Sequence, residues 1–273
     1  MEGRLDYILE RVNSRQFAKL WLFFREYFHD DASCFSFLWE TLHGLPYLKD
    51  FPYHELVDEP GVWENSNGER YRDDQFVPLR MLNIVEKMVS TARDMEMIRQ
   101  GKDVFKLVFL ITCVESLYEL HGEKTFSKDM IVSFFEENLL EKDRQTILEK
   151  FKKSNADDEF FGVDKDWGEY LDSSIREFAG VLNEYRNIAT HEGNYENWCF
   201  NNNGDGVPMM MFIPIDLQNF SRKNKKEHVF ETLISYRDFE GIFVRTAIQF
   251  ICRYAEEKRA VEPEESLQET QLS

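Results

Sequence analysis

One segment of the chain gathers the residue types that could act on a phosphodiester. It reads Glu184-Tyr185-Arg186-Asn187-Ile188-Ala189-Thr190-His191-Glu192-Gly193. Arginine supplies a permanent planar cation that matches phosphate geometry. Histidine exchanges a proton near neutral pH. Asn187 stands four residues before His191, on the same helical face, where it could orient the ring. Cleavage of RNA by its own neighbouring 2′-hydroxyl needs a proton taken from that hydroxyl and a charged pentavalent phosphorus stabilised, and it does not require a metal. The same positive side chains also have a structural use, since a helix C-terminus favours cations.

The elements that must position these residues impose a geometric condition. Ser174 with Glu177 three residues on makes a capping box. Ile175, Phe178, Val181, Leu182, Tyr185 and Ile188 then form one apolar stripe, so a helix runs from about Ile175 to near Gly193. In a straight α-helix, residues five apart lie about 140° apart. Arg186 and His191 therefore converge only if the helix distorts at its end, if the arginine bends back, or if two chains contribute. Gly193 favours a frayed or tightened last turn.

The rest of the chain reads as mostly helical. Prolines occur at 46, 52, 60, 78, 208, 214 and 263, so nothing between Leu79 and Val207 is proline. That stretch is a helical body. Apolar spacing predicts helices from about Leu5 to Phe28, Ser33 to Leu42, residues 79 to 99, Asp103 to His121, and a helix or pair of helices over 126–153. The helix from Asp103 is apolar nearly all round, which marks it as central, and Gly122 stops it. A final helix is expected from about Glu227 to Lys258. Residues 43–78, with four prolines and the polar run 64–69, read as a long connection with little regular structure. Trp198 to Phe200 and Met209 to Ile215 flank Asn201-Asn202-Asn203-Gly204-Asp205-Gly206 and read as a β-hairpin or extended excursion. The organisation expected is an N-terminal helical region with a long loop over 1–78, a helical domain over 79–258, and an acidic disordered tail over 259–273.

Composition narrows the function classes. With 273 residues, 42% of them hydrophobic, there is material for one large or two small domains. The 51 acidic and 33 basic residues give a net charge of −18. That balance argues against a general nucleic-acid binder and against anionic membranes, but leaves room for a small basic pocket. The four cysteines are scattered with no C-x-x-C pair, so a zinc ribbon is not expected. No signal-peptide core or spanning apolar run is present, and a cytoplasmic protein with reduced thiols and no membrane association is expected.

Other candidates are weaker. Glu115 is an ionisable residue in the most apolar helix, so it either pairs with Arg186 and aims it or sits at the helix edge in water. Ser221-Arg222-Lys223-Asn224-Lys225-Lys226 is the densest basic cluster, and Arg222, Lys223, Lys225 and Lys226 could contact an RNA backbone. The run from Asn201 opens like a calcium loop, but its twelfth position is Phe212 rather than a bidentate acid. Asp157, Asp158, Glu159, Asp164 and Asp166 read as solvated surface, and no metal or other cofactor is expected. There is no nucleophile elbow, P-loop or dinucleotide fingerprint.

The R-N-x-x-x-H segment, preceded by an apolar helix carrying Glu115, resembles the signature of HEPN domains (higher eukaryotes and prokaryotes nucleotide-binding). The resemblance covers about residues 80 to 258. It implies an all-α helical bundle, here with an additional N-terminal helical region and the small β-hairpin excursion, that dimerises and brings two motifs into one cleft. It implies a metal-independent endoribonuclease leaving 2′,3′-cyclic phosphate ends, in a toxin or antiviral defence role with an antitoxin or defence partner protein. Arg186 and His191 would be catalytic and Asn187 supporting. Other members of the family bind a nucleotide, RNA or a protein without catalysis, which is the alternative reading.

Overall fold

The computed structural model describes residues 14–42, 54–55, 62–64, 70–72, 76–98, 103–123, 126–155, 171–192, 200, 211–213 and 228–269. Helical periodicity becomes helix throughout the proline-free body. Among the described residues the helices are α1 (Ser14–Phe24), α2 (Asp31–Leu42), α3 (Val77–Ile98), α4 (Asp103–His121), α5 (Ser127–Asn138), α6 (Glu141–Lys150), α7 (Ile175–Asn187) and α8 (Tyr236–Glu269). The architecture is all-α in its bulk. Two small antiparallel sheets accompany it. One joins β1 (His54–Glu55), β2 (Val62–Glu64) and β3 (Arg70–Arg72) in that order. In the other, β6 (His228–Thr232) is central, between β4 (Phe151–Asn155) and β5 (Met211–Ile213).

Three expectations are corrected. Residues 43–78 hold the first sheet, in which Trp63 pairs with Tyr71 and Val62 with Arg72, so β-prone residues find cross-strand partners within a short span. Residues 228–232 are strand rather than the start of the last helix, because β4 and β5 supply hydrogen bonds on both sides. The helix starts only at Tyr236, where Ser235 Oγ accepts the Asp238 amide at 3.1 Å. That helix also continues to Glu269, past Lys258 and into the acidic tail expected to be disordered. Extending an existing helix avoids the nucleation cost, and glutamate, glutamine and leucine there are good helix formers.

The chain divides into two compact units. One comprises Met1–Lys87, Leu117–Glu123 and Ile248–Ser273, the other Met88–Ser116 and Lys124–Ala247. Helices α3, α4 and α8 contribute residues to both. In the first unit, α1 and α2 meet through aromatic contacts, with Phe24 edge-on to Phe37 at 5.6 Å and Trp21 to Phe35 at 6.1 Å. Lys19 on α1 pairs with the buried Glu86 of α3. Gly122, at φ +91°, ends α4 in a conformation that suits glycine.

The second unit is built on phenylalanine. Phe134, Phe135, Phe151, Phe178, Phe239 and Phe243 are all buried and meet mostly edge to face or tilted. Phe151 of β4 stacks on Phe230 of β6, which fastens the sheet to this core. Two bidentate pairs clamp α8, Arg93 to Glu240 and Arg245 to Asp143, each with both nitrogens within 3.0 Å. Helix α4 has the buried face expected of it, with Val104, Leu107, Leu110, Ile111, Cys113 and Val114 inside.

Candidate functional site

Helix α7 begins as its sequence requires. Ser174 Oγ accepts the Glu177 amide, and the Glu177 carboxylate accepts the Ser174 amide, closing the capping box. The stripe of Ile175, Phe178, Val181, Leu182 and Tyr185 is buried. Phe178 meets Phe135 of α5 near one end of the pair. At the other end, Ser127 of α5 and Arg186 of α7 reach the same carboxylate oxygen of Glu115. The two helices therefore run antiparallel, with the C-terminus of α7 beside the N-terminus of α5.

The expected partner of Arg186 is thus in place. Its Nη2 donates to Glu115 Oε1, and its Nη1 donates to the Asn187 side-chain oxygen at 3.1 Å. The Arg186 and Glu115 side chains are 19% and 24% exposed, so the pair is half-buried and reachable from solvent. A guanidinium has five N–H donors, so these bonds hold the plane in orientation without exhausting it. Asn187 therefore contacts the arginine rather than the histidine ring.

Beyond Asn187 the helix changes its winding. Residues Ile188–Glu192 form a π-helical turn, so the end is widened where a frayed or tightened turn was expected. A turn closed from i to i+5 rotates less per residue than an α-helix, so the spacing of about 140° that a straight helix sets over five residues does not carry through this segment. Thr190 Oγ1 donates back to the carbonyls of Arg186 and Asn187, at 2.8 and 3.3 Å. Ala189 is buried and anchors the turn, while Thr190 and His191 are exposed. Among the described residues nothing hydrogen-bonds or pairs with the His191 ring, so it stands open to solvent on a held turn.

Arg222, Lys223, Lys225 and Lys226 lie outside the described residues, as do the acidic run 157–166 and the loop 201–206. Among the described residues no group of three or more His, Cys, Asp or Glu is placed to hold a metal ion. No described helix is long and apolar enough to cross a membrane. A cleft of about 390 Å³ lined by Leu148, Phe151, Lys152, Leu171, Asp172 and Ser173 opens beside the start of α7. Arg186 is at the opposite end of that helix, on the order of 18 Å away along its axis, so the cleft is separate from the arginine site.

The sequence reading missed Ser127, which shares Glu115 with Arg186, and the exposed Phe126 before it. Lys106 of α4 is a further charged residue that the sequence did not single out. Lys106 is buried at 4% side-chain exposure, pairs with Asp103 and Glu96, and lies 4.5 Å from the centre of the Tyr236 ring. Asp103 also accepts the Phe200 amide at 2.8 Å, so this cluster holds residue 200 to α4.

No family model, curated protein or solved structure matches the chain.

Proposed function

We propose that this protein is a metal-independent endoribonuclease of HEPN type acting as a homodimer, with Arg186 and His191 catalytic and Asn187 and Glu115 positioning the arginine. The observation that carries the reading is the held arginine followed, on a π-widened turn, by an exposed histidine free of described partners. In the reaction proposed, the 2′-oxygen attacks phosphorus and its proton passes to the neutral imidazole of one His191. The bond from phosphorus to the 5′-oxygen breaks, and that oxygen takes a proton from the imidazolium of the second His191. Arg186 stabilises the charge that accumulates on the phosphorane oxygens. The products carry a 2′,3′-cyclic phosphate and a 5′-hydroxyl. Cytoplasmic location, a toxin or defence role and an antitoxin or defence partner belong to the same reading.

The alternative is a non-catalytic module that binds a nucleotide, RNA or a protein through the same residues. The observation favouring it is that Glu115 neutralises Arg186 in a chain of net charge −18, which weakens phosphate attraction. Incubating the purified full-length protein with mixed RNA in EDTA separates the two. Cleavage that survives chelation and is lost in both Arg186→Ala and His191→Ala supports the enzyme. RNA left intact by the wild type rejects it.

A further inference from the structure

Phe126 stands immediately before Ser127, whose hydroxyl binds the carboxylate oxygen that also holds Arg186. The residue is 82% exposed, the one aromatic among the large apolar residues described as exposed. It occupies the N-cap position of α5, with extended backbone at φ −72° and ψ 142°, and makes no side-chain cap hydrogen bond. Serine, threonine, aspartate or asparagine would serve the helix better there. Leu140 holds the equivalent position on α6, but that residue is half-buried. No ring contact joins Phe126 to another described residue. Neither the helix start nor the core accounts for a phenylalanine at this place.

We propose that Phe126 is a stacking platform for a nucleobase of single-stranded RNA whose phosphate lies at Arg186. The inference rests on the RNA reading of that site and adds a residue that would hold a base of the substrate. Unstacked bases of single strands are held on exposed aromatic faces, while paired bases in an RNA duplex offer no free face to such a ring. Stacking is sequence-tolerant because each base has a π-face. It also supplies affinity without positive charge, which suits a strongly acidic protein. The chain geometry allows both contacts at once. Phe126 and Ser127 are consecutive, and one bond from Ser127 and one from Arg186 end on the same oxygen of Glu115.

The test is binding of the full-length protein to a fluorescently labelled 2′-O-methyl oligonucleotide, which lacks the attacking hydroxyl and cannot be cleaved. Phe126→Ala and Phe126→Leu are expected to weaken single-strand binding by about 5- to 150-fold, the range for one lost base stack, while Phe126→Tyr and Phe126→Trp retain it. The ratio of wild type to Phe126→Ala should be the same at low and physiological salt, since stacking releases no counterions. A duplex of the same sequence should bind weakly, with no dependence on residue 126. Phe126→Ser is the control for folding, because a capping serine should raise thermal stability while it lowers affinity.

Full affinity in Phe126→Leu, or no binding of single strands by the wild type, overturns the proposal. So does a change of sedimentation state in Phe126→Ala, which would assign the ring to a contact between copies of the chain. Unchanged cleavage kinetics in Phe126→Ala would reject the stack and leave the enzyme reading standing. Binding that depends on Phe126 in a protein that never cleaves RNA would reject the enzyme and leave the stack.

Discussion

Arg186 at the end of α7 is held by Glu115 in the middle of α4, a partner 71 residues earlier in the chain. The pair is only half-buried, and Ser127 of a third helix reaches the same carboxylate. Three elements thus converge on one charged contact, and the arginine enters the site already oriented.

Replacing Glu115 by glutamine tests that orientation. The change keeps the shape but removes the charge, and stability should fall by about 1–3 kcal/mol in urea denaturation, the range for one member of a charged hydrogen bond. In RNA cleavage, kcat should fall at least about tenfold without a rise in KM, because a loosened Arg186 still attracts phosphate but no longer meets the transition state. A higher KM with unchanged kcat would make Glu115 a contributor to substrate binding rather than a positioning residue.

His191 offers a cleaner separation of chemistry from folding. It is exposed and has no described partner, so His191→Ala should change unfolding free energy by no more than about 0.5 kcal/mol. Loss of a general acid–base should nonetheless reduce cleavage by about 10²- to 10⁴-fold. A large drop in thermal stability would instead mark the histidine as a structural cap.

The Lys106 cluster should govern behaviour at alkaline pH. Burial alone would depress the Lys106 ammonium, but hydrogen bonds and charge from Asp103 and Glu96 outweigh it and carry the group above the usual lysine value. Its contribution to stability is therefore complete below about pH 10.4 and is lost as pH rises through the elevated folded value. Lys106→Met leaves the buried Asp103 without its cation and should cost about 3–5 kcal/mol at neutral pH. Urea titrations across alkaline pH should show a steeper fall in the wild type than in this variant.

Two thiols should be silent in the folded protein. Burial, and then the nearby Asp31, push Cys34 up to about 12, and burial alone pushes Cys113 upward. Alkylation at mildly alkaline pH should be slower than for a free thiol by on the order of a thousandfold, and both should label once the chain is denatured. Rapid labelling of either in the native state would mean that its helix opens locally.

Helices were legible where their information is local. The stripe of α7 and its Ser174–Glu177 box lie within a few residues, and both form as read. The largely apolar character of α4 likewise announces burial before any partner is known. Strand β6 was not legible, because the run from His228 to Thr232 is decided by hydrogen bonds to β4 and β5, which are distant in sequence. The short sheet around Trp63 and Tyr71 was hidden by the surrounding prolines and glycines, whose punctuation resembles that of an irregular loop.

By itself, the sequence determined the residue types of the candidate site and the helix that carries them, because a six-residue motif and a 3.6-residue period are properties of contiguous chain. The tertiary structure decided which of them touch. It brought Glu115 and Ser127 to Arg186, turned Asn187 toward the arginine, and widened the last turn, which carries an exposed His191. The physical reason is the difference in range. Propensity and periodicity act over one or two turns, whereas a half-buried charge finds its partner only when packing removes water from both and leaves few other groups within reach.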